Sequence, residues 1–132
     1  MASAAEIRGT VFKNGSATLL ARVVGAAGAA LTQSDVSTIT YTVALLDDTD
    51  PDGETAVDDH EDVSCTVATT ISDTLQDDDL WDVDHEGYNF KHTLDVSENA
   101  AFAVAGRSYR ITFTITPVAG QVILVRFRVH CI

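Results

Sequence analysis

Strict alternation of apolar and polar residues is the feature that most limits what this chain can become. In Tyr109-Arg110-Ile111-Thr112-Phe113-Thr114-Ile115-Thr116 every second side chain is large and apolar. An extended strand puts Tyr109, Ile111, Phe113 and Ile115 on one face and the Arg and Thr residues on the other, whereas a helix would scatter them around its circumference. The pattern restarts after the turn-forming Pro117-Val118-Ala119-Gly120, with Ile123, Val125, Phe127, Val129 and Cys131 set against Arg126, Arg128 and His130, and predicts a C-terminal hairpin. Thr38 to Leu45 and Tyr88 to Val96 repeat it. Ile7 to Phe12, Ala17 to Val24, and Val63 to Thr69 continuing through Leu75 are shorter candidates. Ala100 to Gly106 fits a short strand or a loop, and Asp77 to Asp84 has room for one helical turn. No dozen-residue stretch shows a capped helical stripe. The expectation is an all-β sandwich of seven or eight antiparallel strands. A chain of 132 residues has material for one such core, so residues 1–132 are read as a single domain.

Charge is distributed far less evenly than hydrophobicity. Sixteen of the twenty acids lie between Asp47 and Glu86, a stretch with no Lys or Arg, so forty residues hold a charge of -16 and the rest of the chain +4. Two clusters dominate, Asp47 to Glu54 and Asp77 to Glu86, each between strands. The overall charge of -12 repels phosphate and argues against a nucleic-acid partner. Membrane insertion is not expected, because the longest weakly apolar run, Val23 to Leu31, contains two glycines and is too short to span a bilayer. The first residues lack the basic start and apolar stretch of a signal peptide.

Like charges a few ångström apart cost on the order of 1 kcal/mol per pair even in water, so the acidic clusters need an answer. Calcium is one: Asp48, Asp50 and Asp52 followed by Gly53 reproduce the alternating opening of a calcium loop, with Glu54 and Asp59 completing a ligand set. Against it, the closing position is Asp59 rather than a bidentate Glu, Pro51 interrupts, and the flanks are strand-like. Screening by salt is a second answer, and a solvated acidic rim needs none. The last is a basic surface on a partner or on a neighbouring copy, for which the chain itself offers Arg107, Arg110, Arg126 and Arg128.

Nothing points to catalysis. No Gly-x-Ser-x-Gly occurs, and His85-Glu86 begins like a zinc-protease motif but reaches Asn89 where the second His should stand. The chain is expected not to be an enzyme and to need no cofactor beyond the calcium just considered. His60 and His85, inside acidic segments, read as surface histidines, His92 and His130 as strand residues at the core margin, and Trp81 as a core anchor. Gly25 to Ala30 reads as a loop, since no Gly-Lys-Ser/Thr follows it. Asn14-Gly15 reads as a turn. Cys65 and Cys131 sit in the inward phase of their strands, as buried thiols or as a bridge. A bridge of immunoglobulin type would want a tyrosine two residues before Cys131, where Val129 stands.

Gly15-Ser16-Ala17-Thr18-Leu19-Leu20-Ala21-Arg22-Val23-Val24, then Ala29-Ala30-Leu31-Thr32 and Val36-Ser37-Thr38-Ile39-Thr40-Tyr41-Thr42-Val43, resembles the opening of small immunoglobulin-like domains in phage virion proteins, notably at the front of baseplate upper proteins. Asp78 to Asp84 and Gly87 to His92, with Tyr109-Arg110-Ile111 and the final hairpin, are similar to small proteins encoded among phage-type genes. The resemblance implies an immunoglobulin-like sandwich with a structural role in a virion, in many copies in a head, neck or tail, and brings no catalytic residues with it. The expected partners are copies of the chain itself, as a homo-oligomer, and other virion proteins. The residues expected to meet them are Asp48, Asp50, Asp52, Asp78, Asp79 and Asp82, with Arg126 and Arg128 as complementary positions. The competing expectation is a calcium-dependent extracellular or carbohydrate-binding module that uses the same aspartates.

Overall fold

A computed structural model describes residues 6–25, 28–47, 49–50 and 53–132. Alternation becomes nine strands: β1 (Glu6–Val11), β2 (Thr18–Ala21), β3 (Val36–Leu46), β4 (Glu54–Ala56), β5 (Val63–Cys65), β6 (Ile71–Gln76), β7 (Tyr88–Thr93), β8 (Ser108–Pro117) and β9 (Ile123–Cys131). A single helical turn, α1 (Val67–Thr70), precedes β6, and a 3-10 turn (Gln33–Asp35) precedes β3. One sheet runs β1-β9-β8-β3-β4 with β5 also on β3, and the other runs β2-β7-β6. The chain is therefore an all-β sandwich; β9-β8-β3 and β2-β7-β6 follow the order of strands G-F-C and B-E-D in immunoglobulin-like sandwiches, while β1 joins the larger sheet. The three-residue β4 and β5 raise the strand count above the expected seven or eight. One pairing departs from the antiparallel expectation: β1 lies parallel to β9, from Glu6 opposite Arg126 to Val11 opposite Cys131. After β1 the chain crosses to the other sheet instead of folding back as a hairpin, so its partner is a strand from the far end of the sequence. Residues 94–107 contain no strand, and residues 77–84 form turns rather than a helical turn.

The inward faces meet in an aromatic centre. Phe113 on β8 packs edge-on against Phe90 of β7 at 4.8 Å between ring centroids, against Phe127 of β9 at 5.8 Å, and beside Tyr41 and His92. Phe90, Ile111, Phe113 and Ile115 are wholly buried. Tyr109 closes one end of the core: its hydroxyl accepts a hydrogen bond from the Val104 N–H at 3.0 Å. The arrangement is similar to the corner tyrosine of immunoglobulin sandwiches, but Tyr109 stands two residues before Ile111 on β8 and not before a cysteine on β9. His60 is not a surface residue. It is 2% exposed, with Nε2 at 2.7 Å from the Asn99 carbonyl and Nδ1 at 2.9 Å from the Tyr41 hydroxyl. A carbonyl can only accept, so Nε2 carries the proton donated to Asn99.

Both cysteines are free thiols. Burial pushes the Cys65 thiol up to about 11, and only the thiolate reacts. At pH 8 the thiolate fraction falls about a hundredfold, of which the greater nucleophilicity of a more basic thiolate returns about tenfold. Ellman's reagent should therefore label native Cys65 about tenfold more slowly than a free thiol, and a denaturant should release two fast-reacting thiols per chain. Immediate labelling of Cys65 in the native protein would contradict its burial.

Candidate protein interface

The sheet topology places the described residues of the two acidic clusters at opposite ends of the sandwich. β3 enters beside the 3-10 turn and leaves at Leu46, where the loop 47–53 begins. β7 runs antiparallel to β2 with Ala21 opposite Phe90 and Thr18 opposite Thr93, so the loop 77–87 lies at the other end, next to the loops 22–35 and 118–122. A third group of exposed acids, Asp58, Asp59, Glu61 and Asp62, lies on the segment that hydrogen-bonds to β3 at Thr42 and Val43. Arg107 belongs to the 47–53 end, where it donates to the Leu46 carbonyl at 2.6 Å.

The loop 77–87 is a built structure rather than a loose acidic tail. The Asp84 carboxylate accepts from Trp81 Nε1 at 2.9 Å, from Arg22 Nη1 at 2.7 Å, and from the Glu86 and Gly87 N–H groups. Asp78 accepts from the Leu80 N–H and from the Tyr88 hydroxyl. Trp81 is half-buried, with its ring 5.7 Å from that of Tyr88; it clamps this loop instead of anchoring the core. Gly87 ends the loop at φ 100°, where a Cβ would collide with the Gln76 backbone. These bonds leave Asp77, Asp79, Asp82 and Glu86 exposed on a stiff support.

The donors around Asp84, Trp81 first and Arg22 next, hold its carboxyl well below the usual carboxylate range. A carboxyl whose pKa is lower folded than unfolded stabilises the protein above its unfolded pKa of about 3.9, and that contribution is lost as the pH falls below it. The melting temperature of the native chain should drop on acidification below about pH 4, more steeply than that of Asp84→Asn. Identical acid slopes would contradict the clamp.

On the outer face of the larger sheet, the registers put three arginines side by side. Arg8 of β1 stands opposite Arg128 of β9, and Arg128 opposite Arg110 of β8. Arg126, the next outward residue on β9, lies between Glu6 and Thr112. Like charges directly opposite each other across strands are destabilising by roughly 0.2–1 kcal/mol per pair. Glu54 relieves Arg110, at 3.1 Å. Among the described residues Arg8, Arg126 and Arg128 have no ion-pair partner, and Arg126 Nε is buried without a hydrogen-bond partner.

Between the loops 22–35 and 118–122 lies a groove of about 720 Å³, lined by Val24, Leu31, Val118, Val122 and Ile123 with Asp35 at its rim. Val24, Val118 and Val122 are 50%, 69% and 53% exposed. Asn89 holds its floor: Oδ1 accepts from the Val23 N–H at 2.7 Å, and Nδ2 donates to the Val23 and Leu31 carbonyls at 2.9 Å. Because Asn89 follows the acidic loop directly and Arg22 binds Asp84, the groove and the acidic loop share one end of the molecule.

Of the residues expected at a partner surface, Asp78, Asp79 and Asp82 fall on this end, and Arg126 and Arg128 on the outer sheet face. Asp50 is exposed at the opposite end, and Asp48 and Asp52 lie outside the described residues. The five suggested calcium ligands include these two. Of the others, Glu54 is engaged by Arg110, and Asp59 is an exposed residue at φ 67°. Among the described residues no group of three or more His, Cys, Asp or Glu could hold a metal ion. Sequence reasoning did not reach Arg8, whose place depends on the parallel pairing, nor the groove, which joins loops about ninety residues apart. Comparison with protein-family models, curated proteins and solved structures finds no match.

Proposed function

We propose that the chain is an assembly module, a structural or accessory protein of a phage-type particle that acts by binding copies of itself and other particle proteins. The observation that carries this reading is the arginine ladder. A sheet face on which Arg8 and Arg128 stand opposite each other with no ion-pair partner among the described residues is costly to the isolated chain, and the cost is relieved when an acidic surface covers it. The same chain displays acidic surfaces at both ends, so a second copy satisfies the requirement. Placement in a virion rests on the resemblance of residues 15–24, 29–32 and 36–43 to small immunoglobulin-like domains of phage virion proteins, and of residues 78–84, 87–92 and 109–111 with the final hairpin to small proteins encoded among phage-type genes.

Sedimentation of the purified chain across salt concentrations tests the reading. At low ionic strength the mass should exceed that of one chain and fall toward it as salt screens the contacts. Arg126→Glu with Arg128→Glu should abolish the assembly, and Arg8→Glu, at an exposed site, should weaken it without loss of fold. A one-chain mass at every salt and protein concentration would overturn the proposal.

A further inference from the structure

Resting on that assembly reading, we infer that the end carrying the apolar groove and the acidic loop docks on the arginine ladder of a second copy. The two acidic ends are not equivalent. The end formed by loops 22–35, 77–87 and 118–122 combines negative charge with exposed Val24, Val118 and Val122 around a groove of about 720 Å³. Apolar contact supplies affinity and charge supplies orientation, so this end has both parts of an interface. The ladder is the matching surface on the same chain. Its guanidinium groups pair with Asp77, Asp79, Asp82 and Asp35, while the methylene stems of Arg126 and Arg128, flanked by Leu124 at 44% exposure and by the methyl groups of Thr112 and Thr114, cover the valines.

Both partners of the contact are preformed. The bonds to Asp84 and Asp78 stiffen the acidic loop, Asn89 fixes the stems of the groove, and the ladder sits on paired strands. Little ordering is therefore required on binding. The two surfaces differ, although β9 runs from one to the other, and a contact between unlike surfaces is heterologous. Each copy offers one end and one ladder, and copies add successively into a ring or a filament.

Two surface variants of the full chain test this at low salt, Val118→Asp with Val122→Asp on the groove and Arg8→Glu with Arg128→Glu on the ladder. Melting temperatures of both should stay close to that of the native chain. Each variant alone should sediment as one chain, while an equal mixture should give a two-chain species and nothing larger, because the groove variant keeps its ladder and the ladder variant keeps its groove. Native-like assembly by the groove variant, or a one-chain mass for the mixture, would overturn the docking. If the native chain itself never assembles, the broader reading fails with it; if the native chain assembles and only the groove variant is unaffected, the docking alone is wrong.

Discussion

Replacing Asn89 with leucine should lower stability by about 3 kcal/mol, although the two side chains are similar in size. The amide is 1% exposed and stands where a strand would otherwise continue. β2 stops at Ala21, and the Asn89 side chain takes over the hydrogen bonding of Val23 and Leu31. Removing it strands the Val23 N–H and the Leu31 carbonyl in the interior, whereas the Val23 carbonyl keeps the Leu31 N–H at 3.0 Å. An unsatisfied buried group costs about 1–3 kcal/mol, so two of them give the expected figure. Urea denaturation measures it directly, with a fall in melting temperature of about 10 °C as the thermal counterpart. A loss below about 0.5 kcal/mol, within the range of ordinary surface substitutions, would mean that the amide is not holding the loop stems.

Phe113→Ala should cost as much or more. The ring touches aromatic neighbours from both sheets, with Phe90 and Phe127 on two sides and Tyr41 and His92 on the others. Truncating a fully buried Phe removes its transfer energy and leaves a cavity, typically a loss of 3–5 kcal/mol. Against the 5–15 kcal/mol that stabilises a typical domain, this leaves the variant marginal at 37 °C. Phe113→Leu should recover much of the loss. If the alanine variant denatured at the same urea concentration as the native chain, the proposed centre of the core would be misplaced.

The contrast between these two sites shows what a sequence of this kind makes legible. Phe113 belongs to a period-two run, and its burial follows from its neighbours two residues away on each side. The inward faces of β8 and β9 were readable for that reason, and so was the sandwich. Asn89 gives no such signal: it is a polar residue on a strand, and its partners lie on a loop stem more than fifty residues earlier. His60 was misleading because its acidic neighbours in sequence suggested solvent, while the chain turns its ring inward to Tyr41 and Asn99. Trp81 was misleading in the opposite direction, since a lone tryptophan suggests a core and this one has an aspartate for its indole N–H. The acidic clusters were visible as charge. Which end of the sandwich each occupies depends on strand direction and sheet order, and those come from long-range pairing.

That separation of the clusters restricts how molecules of this shape can be arranged in space. Two copies approaching along a shared long axis bring negative poles together, a repulsion felt over about 10 Å at 0.1 M salt. A coaxial column is thus the packing that electrostatics resists most. Approach of a pole to a positively charged flank meets no such barrier and sets neighbouring axes at a steep angle, so that a growing array advances in a staggered zigzag.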